Sequence, residues 1–180
     1  IDVSGWSVQY RSSGGTGAFT GITVLGDHEV RPGGRFLVAG QGNPTGAGAE
    51  LPTPDVTGPL NPGGAAGTIV LARTETALTG QPAAVLTDAN VVDLVGYGAS
   101  NTYEGDGSAP SDPSVTESLA RTGGADTDHN GADFTKQAPS PTACGEVCDV
   151  EPPPVETVSI ADIQGTGATS PRVGHTVTTT

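Results

Sequence analysis

Short apolar runs separated by turns dominate the hydrophobic pattern of this chain. Polar and apolar side chains alternate over residues 5–11, which predicts a strand with Trp6, Val8 and Tyr10 on one face. Runs dense in Val, Ile and Leu predict further strands at residues 22–25, 35–39, 67–73, 91–97 and 118–121. The run at 35–39 is almost continuously apolar, so we expect it to be buried on both faces.

The spacing of these runs predicts an all-β fold, because no stretch keeps the apolar period of a helix over several turns. Strands separated by frequent turn signals are typical of a β-sandwich. Residues 40–65 are rich in Gly and Pro and are expected to form a long loop with one helical turn. The expected organisation is a sandwich at 1–143, a Pro-rich acidic linker at 144–157, and a strand fragment at 158–180 that begins a second domain.

The amino-acid composition and net charge indicate which kinds of molecule this chain can bind. The 180 residues include 28 Gly and 15 Pro, which suits a loop-rich β protein. The formal net charge of −13 repels phosphate, so the chain alone is not expected to bind nucleic acid, whereas it attracts divalent cations. No apolar run is long enough to predict a membrane-spanning helix.

The two cysteines, Cys144 and Cys148, lie close together in sequence. Either they form a disulfide that closes a very small loop, which an oxidising compartment favours, or they remain thiols. Their spacing is not that of redox motifs, and without further cysteines or nearby histidines they do not predict a zinc site.

The best local candidate for chemistry is an acidic segment near the end of the predicted sandwich. Its oxygen-bearing side chains recur with the spacing of a calcium-binding loop, and Gly131 stands at the sharp turn. The candidate ligands are Asp126, Asp128, Asn130 and Asp133. Gln137 occupies the position of the usual bidentate Glu, so the alternative is an Asx-rich turn whose side chains bond the backbone.

The sequence does not predict a catalytic set. The three histidines, His28, His129 and His175, are far apart, so no Ser-His-Asp arrangement can be assembled from them. Asp93 interrupts an apolar strand, and as a catalytic acid it would need a partner that the sequence does not show. The alternative is that Asp93 bonds backbone amides at a strand end or loop.

Five segments occur in a recognisable order: residues 5–10, 34–38, 67–71, 91–98 and 126–134. Together they resemble the lamin-tail domain of bacterial secreted proteins, and the resemblance covers residues 1–143. It implies an immunoglobulin-like β-sandwich. The family's first one or two strands have no counterpart here, so the sheet is expected to lack its N-terminal strand or strands and to leave an open edge beside residues 6–10.

Residues 160–171 and 173–178 are similar to the start of the OB-like domain that follows this module in extracellular bacterial nucleases. Both ends of the chain are therefore expected to be cut from a longer protein that is secreted or held at the cell surface. The resemblance implies a non-catalytic accessory module that tethers or positions a metal-dependent endonuclease/exonuclease/phosphatase domain, with Mg²⁺ or Ca²⁺ needed by that domain. Expected partners are the downstream domains and a cell-surface or matrix molecule. The alternative is a surface adhesion or scaffold module unrelated to nucleases.

Overall fold

The computed structural model describes residues 1–41, 52–111, 113–114, 116–143, 157–164 and 178–179. They belong to two units, Ile1–Cys148 and Asp149–Thr180. Cys144, Cys148, His175 and nearly all of the predicted linker lie outside the described residues, so what was expected of them stays a prediction.

The first unit consists mainly of strands with a few short helical turns, in agreement with the predicted all-β class. In chain order its elements are β1 (Ser7–Ser12), β2 (Gly21–Val24), β3 (Val38–Ala39), β4 (Val56–Thr57), β5 (Gly67–Ala72), α1 (Pro82–Val85), β6 (Val91–Tyr97), β7 (Ser118–Arg121), the 3-10 turn Thr122–Gly124, α2 (Asn130–Asp133) and β8 (Phe134–Gln137). The sequence predicted β1, β2, β5, β6 and β7 but not β4, β8 or the helical turns α1 and α2.

A four-stranded antiparallel sheet, ordered β2-β1-β5-β6, forms the centre of this unit. β1 is hydrogen-bonded to β2 on one side and to β5 on the other. The open edge expected beside residues 6–10 is therefore wrong, because the strands at the edges of this sheet are β2 and β6. The outer edge of β6 carries an isolated parallel bridge between Tyr97 and Ala109, and the side chain of Asn130 also bonds to it.

Two short ribbons accompany the sheet. β3 pairs with β4 in parallel, and β7 pairs with β8 in antiparallel register. The strand predicted at 35–39 is wrong in both extent and burial, since β3 contains only two residues and both are half-buried. Its partner β4 is equally short, and the Leu37 N–H is bonded at 2.6 Å to the carboxylate of Asp55.

The fully buried face of the sheet carries polar side chains of β1. Ser7, Gln9 and Arg11 are buried, whereas Val8 and Tyr10 between them are half-buried. The alternation was predicted correctly, but the face that contains Val8 is not the one that packs into the core. The core on the buried face consists of Phe19, Val70, Ala72, Leu78, Val85 and Leu94.

The second unit is described at 157–164 and 178–179. Strands β9 (Thr157–Val158) and β10 (Thr178–Thr179) pair in parallel, and helix α3 spans Ile160–Gln164. This segment was predicted to be strand, so the helix is a correction. Ser159, a residue type that favours the N-terminus of a helix, directly precedes α3, and its carbonyl accepts a hydrogen bond from the Ile163 N–H at 3.2 Å.

Candidate functional site

Asn130 lies at the centre of the acidic segment and is completely buried. Its Oδ1 accepts hydrogen bonds from the N–H groups of Gly96 at 2.8 Å and Glu104 at 3.2 Å. Its Nδ2 donates to the carbonyl of Leu94 at 3.0 Å and to Glu104 Oε2 at 2.9 Å. The carboxamide therefore uses its full donor and acceptor capacity, and it bonds to the outer edge of β6 much as a peptide group of a neighbouring strand would.

Asp133 holds the turn that leads into α2. Its carboxylate accepts hydrogen bonds from Thr127 N at 2.9 Å, from Thr127 Oγ1 at 2.6 Å and from His129 N at 3.4 Å. The bonds from Thr127 keep the pKa of Asp133 below its ordinary value, because they stabilise the ionised form. Asp133 thus bonds the backbone of the residues before it, and side chain-to-backbone bonding is what the alternative interpretation expected of this segment.

Arg121, at the end of β7, forms ion pairs with three carboxylates. Its Nη2 donates to both oxygens of Asp93 at 2.7 Å, and its Nη1 lies 2.6 Å from Asp126 and 3.4 Å from Asp133. Asp93 also accepts a hydrogen bond from the backbone N–H of Leu94 at 2.7 Å, as the sequence alternative proposed. The ion pair with Arg121 was not visible in the sequence, because the two residues lie on separate sheets.

Glu104 is a member of this site that sequence reasoning missed. Burial raises the pKa of its carboxyl to about 7, and the negative charge of Asp93 contributes to the rise, whereas the hydrogen bond from Asn130 opposes it. The local sequence gave no signal, since the residues that surround Glu104 in the fold, Asn130 and Asp93, are distant from it in sequence. We name Asp93, Glu104, Arg121, Asp126, Asn130 and Asp133 the Asn130 cluster.

The predicted calcium ligands are brought near one another but not into one coordination shell. Asp126 and Asp133 share Arg121, and the oxygen of Asn130 accepts two backbone N–H groups. Asp128 is exposed on a left-handed backbone with φ of 54°. Over the residues that the structure describes, no group of three or more His, Cys, Asp or Glu side chains has the arrangement of a metal site. The calcium site stays a prediction, and the hydrogen bonds favour the Asx-turn alternative.

The two described histidines have unrelated surroundings. The ring of His28 packs edge-on against Phe36, with 5.2 Å between the ring centroids. His129 Nε2 accepts a hydrogen bond from the backbone N–H of Asp106 at 3.2 Å, and its side chain is about one-third exposed. Neither histidine is bonded to a serine or cysteine nucleophile through these contacts.

A second feature, which we name the apolar trough, lies on the half-buried face of the sheet and has a volume of about 680 Å³. The sheet contributes Val8, Ile69, Leu71 and Val95, and the ribbons contribute Val38 and Phe134. Trp6 and Phe36 come from the segments just before β1 and β3. The trough has two charged lining residues, Asp93 and Arg73. Asp93 is paired with Arg121, whereas Arg73 is exposed and its guanidinium carbon lies 5.4 Å from the centre of the Trp6 ring.

Comparison with known proteins gives no match to this chain among family models, curated proteins or solved structures. In the portions that the structure describes, no helix is both long and apolar enough to cross a membrane. We therefore infer function from the sequence and from the contacts of the Asn130 cluster and the apolar trough.

Proposed function

We propose that this chain is a non-catalytic accessory module of a secreted bacterial nuclease of the endonuclease/exonuclease/phosphatase type. Its first unit is an immunoglobulin-like sandwich of the lamin-tail type, which tethers or positions the catalytic region outside the cell. Support for the fold comes from the central antiparallel sheet and its two ribbons. Support for the nuclease context comes from the segments at 160–171 and 173–178 that are similar to the OB-like domain of those enzymes.

The observation that carries the non-catalytic role is how the Asn130 cluster uses its polar groups. Asn130 bonds the edge of β6 to the segment that contains Glu104, and Arg121 bonds β7 to Asp93 of β6. Such contacts hold strands and turns in register, whereas a general acid or base needs access to a substrate proton. The cluster is best explained as a support that fixes the second ribbon against the sheet.

Two measurements test the proposal. The purified chain, incubated with plasmid DNA and either Mg²⁺ or Ca²⁺, is expected to leave the DNA intact. The coding region downstream of Thr180 is expected to contain the Asp, Glu, Asn and His motifs of a metal-dependent nuclease. Metal-dependent cleavage by the chain itself would overturn the non-catalytic role, and a downstream series of repeats or a wall anchor would replace the nuclease context with adhesion or scaffolding.

A further inference from the structure

The apolar trough offers a binding surface that the proposed accessory role does not use. Its floor is the half-buried face of β1, β5 and β6, where Val8, Leu71 and Val95 line it. Its volume of about 680 Å³ lies within the range of small-molecule sites. Trp6, which lines the trough, is the single tryptophan of the chain.

Arg73 places a positive charge at the apolar trough. The Asp93 carboxylate at the same surface accepts two hydrogen bonds from Arg121, so its oxygens are already engaged. The Arg73 guanidinium lies over the Trp6 ring, and no ion pair of Arg73 occurs in the described ranges. An apolar surface with one uncompensated cation is complementary to a ligand with a hydrocarbon body and an anionic head.

We propose that the trough binds a small amphipathic carboxylate, with its hydrocarbon chain along Val8, Leu71 and Val95 and its carboxylate at Arg73. A peptide segment is a poorer fit, because its N–H and C=O groups would lie against mostly apolar side chains and lose hydrogen bonds to water. A second copy of the sheet is also a poorer fit, since Phe36 of the chain before β3 and Phe134 of β8 line the trough in addition to the sheet. A flexible unbranched hydrocarbon chain has no peptide groups to satisfy, and it can pass between the side chains that line the trough.

Fluorescence of Trp6 tests the proposal at the site itself. Decanoate that carries bromine next to the carboxylate is expected to quench Trp6 more strongly than decanoate with bromine at the far end, because Arg73 would hold the head group beside the indole. Unlabelled decanoate is expected to reverse the quenching, and decanol is expected to compete about tenfold more weakly, since it lacks the charge.

A matched pair of variants separates the role of Arg73 from net charge. Arg73→Gln is expected to weaken decanoate binding about tenfold while changing decanol binding less than twofold. Arg31→Gln removes the same charge outside the trough lining and is expected to leave both affinities unchanged. Equal quenching by the two brominated acids, equal loss in both variants, or no quenching at all would overturn the proposal. Binding that disappears as the chain self-associates would assign the trough to a second copy instead.

Discussion

The two faces of the central sheet differ in a way that reverses the usual pattern. On the buried face, Gln9 donates to Ser7 Oγ and to the Thr76 carbonyl at 3.0 Å each, and accepts from the Leu78 N–H at 2.8 Å. On the opposite face, Val8 and Leu71 lie directly across from each other and remain half-buried. Burial in this molecule thus follows hydrogen-bond satisfaction as well as apolarity, because a buried polar group whose partners are present costs little.

Arg11 follows the same rule at its Nη atoms, whereas its Nε is buried without a partner among the described residues. Its guanidinium donates to the carbonyls of Gly17 at 3.0 Å and Gly80 at 2.7 Å, and to Thr102 Oγ1 at 2.8 Å. Burial lowers the pKa of Arg11, but the group stays protonated at every pH at which proteins fold. The loops that cover this face are thereby tied to β1 through several polar contacts, whereas on the opposite face the Tyr10 hydroxyl accepts a hydrogen bond from the Gly63 N–H at 3.0 Å.

Asn130→Ala is expected to have the largest effect on stability. The substitution leaves the N–H groups of Gly96 and Glu104 and the carbonyl of Leu94 without their partner, at a cost of about 3–5 kcal/mol. Chemical denaturation of the chain measures it. Asn90→Ala is the control, because the Asn90 side chain is exposed and bonds only to Asp88, and it should cost less than about 0.5 kcal/mol. A loss under about 1 kcal/mol for Asn130→Ala would show that water replaces its bonds.

Neighbouring substitutions in β1 compare the two faces directly. Gln9→Ala is expected to cost about 2–4 kcal/mol, because the buried Leu78 N–H loses its partner and a cavity replaces the buried side chain. Val8→Ala is expected to cost about 0.5–1 kcal/mol, because Val8 is only half-buried. Denaturation midpoints of the two variants give the comparison. Equal costs would mean that the trough is filled in solution and that the two faces are energetically alike.

Sequence patterning predicted the strands of the central sheet but could not choose between their faces. Alternation is symmetric, so it shows that Val8 and Gln9 point in opposite directions and not which of them is covered. The cover comes from Leu78 and the loops after β5, which lie far from β1 in sequence. Glu104 was missed for the same reason, since its environment is created by Asn130 and Asp93 from distant segments.

The dependence of stability on pH tests the Asn130 cluster, because Glu104 is the member of the cluster whose pKa is raised. Because the folded-state pKa of about 7 exceeds the ordinary 4.5, the folded protein holds this proton more tightly than the unfolded chain does. The contribution of Glu104 is therefore fully present below pH 4.5 and is lost as the pH rises through about 7. After allowance for solvent screening, the loss is about 1–2 kcal/mol.

Glu104→Gln provides the comparison for this pH effect. The neutral side chain keeps an oxygen that can accept the bond from Asn130 Nδ2, so the variant is expected to lose the part of the pH dependence that Glu104 causes. Thermal melts of both proteins between pH 4 and pH 8 measure the difference. Parallel stability curves for the two proteins would show that the pKa of Glu104 is the same in the folded and unfolded states.

Calcium is expected to have the smallest effect, although the sequence pattern at Asp126, Asp128 and Asn130 suggested a binding loop. The same residue types form calcium ligands and Asx turns, because both uses need a short side chain with an oxygen acceptor. In the folded chain the Asn130 oxygen already accepts two N–H groups and Asp126 is paired with Arg121. Millimolar Ca²⁺ should therefore shift the melting temperature by less than about 1 °C.

Asp128→Gly sharpens the calcium test. Asp128 has a positive φ of 54°, which glycine adopts without steric cost, so the variant should be more stable by about 0.5–1 kcal/mol if the segment is a plain turn. A calorimetric titration of both proteins with Ca²⁺ gives the deciding measurement. If Ca²⁺ instead binds the parent chain, raises its melting temperature and loses affinity in Asp128→Gly, the segment is a metal site. The ion would then have to displace Arg121 from Asp126, and the hydrogen bonds and ion pairs of the Asn130 cluster would depend on the metal.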